Sequence, residues 1–248
     1  MKILGINHDM YITSAALLVD GKIVSAAAEE RFNRIKQSRA FPSEAINFCL
    51  KQSNLKISDI DYVANSYNPG SHLNKFNPIF SKTRRQRYDY LYSIPDNLLN
   101  LFTKRPSDSE YTFQKLKFEK YDLKIYYINH HLCHAANGFY ASNFKNSAIL
   151  TADGRGETDT ATFGIGSNNT IKTLKNIKIP HSVGSFYSTF TSFLGFKPDS
   201  DEWKVMALSS YGSKSNIYYK KIKQLIDLNK DGSFELNLNY FTEINHEM

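Results

Sequence analysis

Asp20-Gly21 stands between two strand-forming runs, and it constrains the fold more than any other feature of the chain. A two-residue Asp-Gly loop flanked by such runs closes an antiparallel hairpin, because both residues tolerate the positive φ a tight turn demands. The run Ser14–Val19 enters this turn and the run to Ala28 leaves it. Residues 2–7 form a strand ahead of the hairpin. Pro42 then opens a helix to Gln52, with apolar residues at 45, 46, 49 and 50 at helical period. Residues 60–65 are a short strand. The first 65 residues therefore read β-β-β-α-β, the start of a ribonuclease-H-like α/β unit.

The pattern then changes. Residues 66–120 are rich in Asn, Tyr, Lys, Arg and Ser and carry Pro69, Pro78, Pro95 and Pro106, which suggests a partly helical insertion or lid. Residues 125–128 read as a strand and 131–139 as a helix. Residues 148–152 and 160–166 read as a second hairpin. Two units that each begin with a hairpin imply a duplication. Residues 1–145 would be a first ribonuclease-H-like lobe and 146–248 the start of a second, the α/β architecture of actin and the sugar kinases. In that architecture glycine-rich turns approach nucleotide phosphates through backbone N–H groups. Gly154 and Gly156 are the candidates here.

Composition limits the function classes. The chain has 248 residues, 41% hydrophobic, enough for a substantial core. No apolar run approaches the roughly 20 residues that span a bilayer. The N-terminus starts as a strand without signal-peptide architecture, so a cytoplasmic location is expected. Cys49 and Cys133 make no disulfide framework, and Cys133 reads as a small buried thiol. A net charge of +7 permits phosphorylated or polyanionic ligands. The basic residues are spread out, with one run at 82–87, so nucleic acid is not the expected partner.

The chemistry centres on His130 and His134, four residues apart on the expected helix. Such a pair shares one face, roughly 6 Å apart. Asp153 ends the apolar run 148–152 in the turn Asp153-Gly154-Arg155-Gly156 and could add a carboxylate oxygen. Two imidazoles and a carboxylate suit a divalent iron, zinc or manganese ion. The alternative is a helix start with satisfied imidazoles. His131 points about 100° away from the pair.

Several stretches together resemble one family. They are Gly5–Asp9, Ser14–Gly21, Glu29–Lys36, Phe41-Pro42, His130–Ala136, Thr151–Gly154, Ser182–Tyr187, Leu194–Phe196, Glu202–Leu208 and Tyr211-Gly212. In this order they resemble the O-carbamoyltransferases that modify antibiotics and nodulation factors. The first domain of that family is also similar to metal-dependent proteins that transfer threonylcarbamoyl groups to tRNA. The resemblance implies transfer of a carbamoyl group from carbamoyl-adenylate, made from carbamoyl phosphate and ATP, to a hydroxyl of a small-molecule or sugar acceptor. It implies that His130, His134 and Asp153 hold the metal, iron foremost. Arg31, Arg34 and Lys36 become candidates for phosphate or carbamoyl contact, with a solvated polar turn as the alternative, and Lys36 the most credible catalytic one. His8 or Asp9 is the candidate general base. Glu202 and Lys204 either face the nucleotide or cap a helix start.

The sequence departs from the family at two points. His8-Asp9 lies about three residues further from Ser14 than in many members, and Ala207 replaces a glycine. Family members also run to more than twice this length. The chain is therefore expected to be an N-terminal portion with its second lobe incomplete. The activating domain would come from a C-terminal domain or a second chain. A non-catalytic nucleotide- or partner-binding half of a split enzyme is the alternative reading. A sugar kinase is a weaker one, because it gives no reason for the histidine pair.

Overall fold

The computed structural model describes residues 1–8, 12–68, 110–117, 120–213 and 217–241. The chain divides into two compact units, Met1–Cys133 and His134–Met248.

In the first unit β1 (Lys2–Asn7), β2 (Ser14–Val19) and β3 (Lys22–Ala28) form an antiparallel meander. Val19 pairs with Lys22, so the loop is the two-residue turn the sequence requires. Asp20 and Gly21 both take positive φ, 50° and 79°. After the short helix α1 (Glu30–Asn33), α2 (Ser43–Gln52) crosses to β4 (Tyr62–Asn65), which pairs parallel with β1. The strand β6 (Asp122–Ile128) pairs parallel with β4. The strand β5 (Tyr111–Lys117) closes the edge antiparallel to β6. Among the described residues the sheet order is β3-β2-β1-β4-β6-β5. The core lies between this sheet and α2. Leu4, Leu17, Val63 and Leu123 meet Ala45, Cys49 and Leu50 there, and Leu17 and Cys49 are fully buried.

The sequence reading is corrected at the end of this unit. Residues 111–117, assigned to the partly helical insertion, form the edge strand β5. Residues 69–109 of that segment lie outside the described residues.

The helix α3 (His130–Tyr140) follows β6 directly. The second unit holds β7 (Asn146–Ala152), β8 (Asp159–Ser167) and β9 (Thr170–Lys178), again an antiparallel meander. The hairpin β7–β8 matches the sequence reading, whereas β9 was not foreseen. Gly166 lets β8 pass Phe139, because a Cβ there would come within 2.6 Å of the ring. The helices α4 (Val183–Phe193), α5 (Glu202–Leu208) and α6 (Ile217–Ile222) follow, then the hairpin β10 (Ile226–Leu228) and β11 (Phe234–Leu236). The architecture is mixed α/β. Among the described residues no helix is long and apolar enough to cross a membrane.

Candidate metal and phosphate site

Two adjacent parallel strands end where the first histidine stands. Ser66 follows β4 and donates its hydroxyl to Asn7 Oδ1 at the end of β1, 2.7 Å away. The Ser66 carbonyl lies 3.1 Å from His130 Nδ1. A carbonyl can only accept, so Nδ1 carries a proton, and in the neutral ring Nε2 then keeps the lone pair. Fixing the tautomer through the far nitrogen is how proteins prepare an imidazole for a metal. The carboxyl ends of parallel strands are also where open α/β sheets gather their ligands.

His134 lies one turn further along α3, half exposed, with Nε2 3.3 Å from Asp153 Oδ2. Among the described residues His130, His134 and Asp153 form a group whose ligating atoms lie within 4.8 Å of one another. Two imidazole nitrogens and a carboxylate oxygen at this spacing fit a borderline divalent ion with open positions. His131 is buried, with its ring edge-on to that of His130.

The turn after β7 is braced from several sides. The Asp153 N–H donates to Thr160 O, and the Gly154 N–H donates 2.6 Å to Asp153 Oδ1. The Gly156 N–H donates 2.7 Å to Asp159 O. The N–H groups of both candidate phosphate glycines are thus engaged inside the turn. Ser182, fully buried, donates its hydroxyl to Gly154 O at 2.7 Å and accepts the Ser185 N–H that caps α4. Gly184 lies against the same turn: a Cβ there would come within 2.6 Å of the Asp153 and Gly154 backbone. Both lie in the family-like stretch Ser182–Tyr187, but neither was given a role from sequence. Arg155 was also missed. Its Nη1 is buried and, among the described residues, has no hydrogen-bond partner.

The remaining candidates have contacts of their own. His8 extends from β1 and meets Phe41 edge-on at 5.1 Å. Asp9 lies outside the described residues. Arg31, Arg34 and Lys36 are exposed, and Arg31 lies 3.6 Å from Glu30. The turn that carries them is held internally: Glu30 accepts the Gln37 N–H, and Asn33 accepts the Ile35 N–H and donates to Ser38. Glu29, at the head of this motif, is buried and accepts the Glu44 and Ala45 N–H groups, so it caps α2.

Glu202 and Lys204 make the contacts of a helix start. Glu202 accepts the Ser188 hydroxyl and the Asp199 N–H, each at 2.7 Å, and Lys204 pairs with Asp201 at 2.9 Å. Burial pushes the Glu202 carboxyl up, but these bonds and further backbone N–H groups outweigh it and hold its pKa below the usual value. The Lys204 ammonium lowers that of Asp201.

The carbamoyltransferase N-terminus family model matches residues 2–248. The chain belongs to this family. It is 33% identical to the uncharacterized protein sll1178 of Synechocystis sp., over 96% of this chain and 39% of that one. It is 28% identical to the nodulation protein NolNO of Sinorhizobium fredii, over 94% of this chain and 32% of that one. The chain thus spans between about a third and two fifths of these relatives' length. Among solved structures, YeaZ from Pseudomonas aeruginosa aligns with 72% of this chain and 67% of its own, at 14% identity and a TM-score of 0.35. That score is too low to bear on the fold.

Proposed function

We propose that this chain forms the metal and adenylate site of a cytoplasmic O-carbamoyltransferase, passing a carbamoyl group from carbamoyl-adenylate to a hydroxyl of a small-molecule or sugar acceptor. The observation that carries the reading is the family match, which runs through the three-donor group His130, His134 and Asp153. On this reading the two lobes follow the actin-like plan. The meander-then-parallel strand order of the first unit and the second meander β7–β9 support that plan. Carbamoyl phosphate and ATP would be used by a further domain or a second chain.

In this reading His130, His134 and Asp153 hold a divalent metal, iron foremost, with zinc or manganese as alternatives. When bound, the ion supplies Lewis acidity toward the carbonyl or phosphate oxygens of the adenylate. The chain's own residues do the rest. The Ser66 carbonyl keeps the His130 lone pair on Nε2. Ser182 and Gly184 hold the turn that bears Asp153. His8 or Asp9 takes the proton of the acceptor hydroxyl as it attacks, and cationic side chains stabilise the departing adenylate.

The test is direct transfer. The purified chain, loaded with iron, is given synthetic carbamoyl-adenylate and a panel of sugars, and products are read by mass spectrometry. The wild type should add one carbamoyl group to an acceptor hydroxyl, and His134→Ala and Asp153→Asn should lose this. Equal product with and without these side chains would sink the metal assignment. Hydrolysis alone with every acceptor, under conditions where the metal is bound, would sink the transferase reading of this chain.

A further inference from the structure

Arg155, in the second unit, has a buried guanidinium nitrogen, Nη1, that no acceptor meets among the described residues. It stands between the two glycines of the turn, two residues after Asp153. The arginine is mostly withdrawn from solvent, its Nη1 is buried, and among the described residues that nitrogen has no hydrogen-bond partner. Burying a guanidinium nitrogen without an acceptor is unfavourable, so such a nitrogen calls for a partner that offers it oxygens. Two lysines of the same unit have acidic partners: Lys175 pairs with Asp231 and Lys204 with Asp201.

The surroundings select the ligand's charge and class. The eleven-residue helix α4 starts against the Asp153-Gly154 backbone, which a Cβ on Gly184 would meet. A helix start carries partial positive charge, so it adds no acceptor for Arg155 and favours an anion beside it. The guanidinium fork matches the oxygens of a phosphate.

We infer that Arg155 binds the phosphate of a nucleoside monophosphate moiety, holding it at the turn that carries Asp153. The inference rests on the reading of this site as an adenylate site and names the residue that recognises its phosphate. Arg155 acts by direct contact with the ligand. It forms no bond and moves no proton.

The test compares AMP with adenosine by calorimetry on the metal-loaded chain. The wild type should bind AMP more tightly than adenosine by about ten- to a hundredfold, the scale of one or two charge-assisted hydrogen bonds. Arg155→Met should erase that preference and leave adenosine binding unchanged, and Arg155→Lys should restore part of it. A second readout separates ligand recognition from a structural role. Without ligand, Arg155→Met should melt at or above the wild-type temperature, because it removes an uncompensated charge.

A lower melting temperature for the free Arg155→Met protein would overturn the inference, since the arginine would then have a structural partner. So would a wild type that binds AMP and adenosine alike, or an Arg155→Met variant that keeps the AMP preference. Failure of the adenylate reading looks different. If the Arg155-dependent preference holds while carbamoyl-adenylate gives no transfer, the phosphate site stands and the transferase chemistry falls.

Discussion

His131 and His134 lie three residues apart on α3, and their surroundings give them different work. His131 is 3% exposed, whereas about half of the His134 side chain is open and faces Asp153. Truncating a buried ring leaves a cavity and unsatisfied neighbours, which typically costs about 1–3 kcal/mol. Removing a half-exposed ring costs roughly 0.5 kcal/mol or less. His131→Ala should therefore lower the denaturant midpoint of the metal-free chain and retain metal. His134→Ala should keep the midpoint and lose the metal. Elemental analysis beside urea titration reads both quantities, and the opposite pattern would mean that the ligand assignment is wrong. The same contrast shows what was legible in the sequence. The spacing of His130, His134 and Asp153 is visible because helix and strand periods are fixed. The Ser66 carbonyl is not, because a backbone acceptor 64 positions away carries no side-chain signature.

Single elements show where periodicity succeeds and where it misleads. The hairpin β2–β3 was readable because Asp20-Gly21 leaves few alternatives. The strand β9 was not, since its apolar residues Ile171, Leu174 and Ile177 recur every three positions, closer to a helix than to a strand. The reason is a bulge: Gly164 pairs with Thr173 and Phe163 with Lys175, so Leu174 is passed over and the alternation slips by one. The strand β5 was hidden by its polar, lysine-bearing sequence, which suits a sheet edge. At the start of α4 the contact is steric. Gly184→Ala must displace the Asp153-Gly154 backbone, and a ligand moved in this way should weaken metal binding about 10- to 100-fold. Gly138→Ala, on α3 with open space at its Cβ, should leave affinity unchanged. Equal affinity in both variants, read by competition against a chelating dye, would show that the turn yields without moving Asp153. The hairpin β10–β11 offers a pH test. Lys175, then the Ser233 hydroxyl and N–H, hold the Asp231 pKa well below the ordinary carboxylate value. The folded value is the lower one, so the pair contributes fully above the unfolded pKa of about 3.9 and is lost as pH falls below it. Asp231→Asn should thus melt below wild type at neutral pH, and the gap should close in acid. A gap that persists unchanged down to about pH 2 would assign the effect to the uncharged amide instead.

At the scale of the molecule, the two units differ in how completely they cover their apolar residues. In the first, α2 buries Ala45, Cys49 and Leu50 against the sheet. In the second, α5 has no buried residue although it carries Trp203, Val205, Met206 and Leu208. Around it Phe193 is 82% exposed and Tyr211 89%. A seven-residue helix has little stability of its own in water and depends on the surface it packs against. Large aromatic and aliphatic groups clustered within Phe193–Tyr211 are also what soluble monomers usually conceal. The chain alone should therefore self-associate as its concentration rises, and its weight-average mass in light scattering should climb above the monomer value of 28.4 kDa. Met206→Lys combined with Trp203→Glu places two charges on the exposed part of this segment, alters no buried residue, and should return the mass toward the monomer. The metal site should be indifferent to that change, because none of its ligands lies on α5. A wild type that stays at the monomer mass across the concentration range would show that α5 is covered within the chain itself.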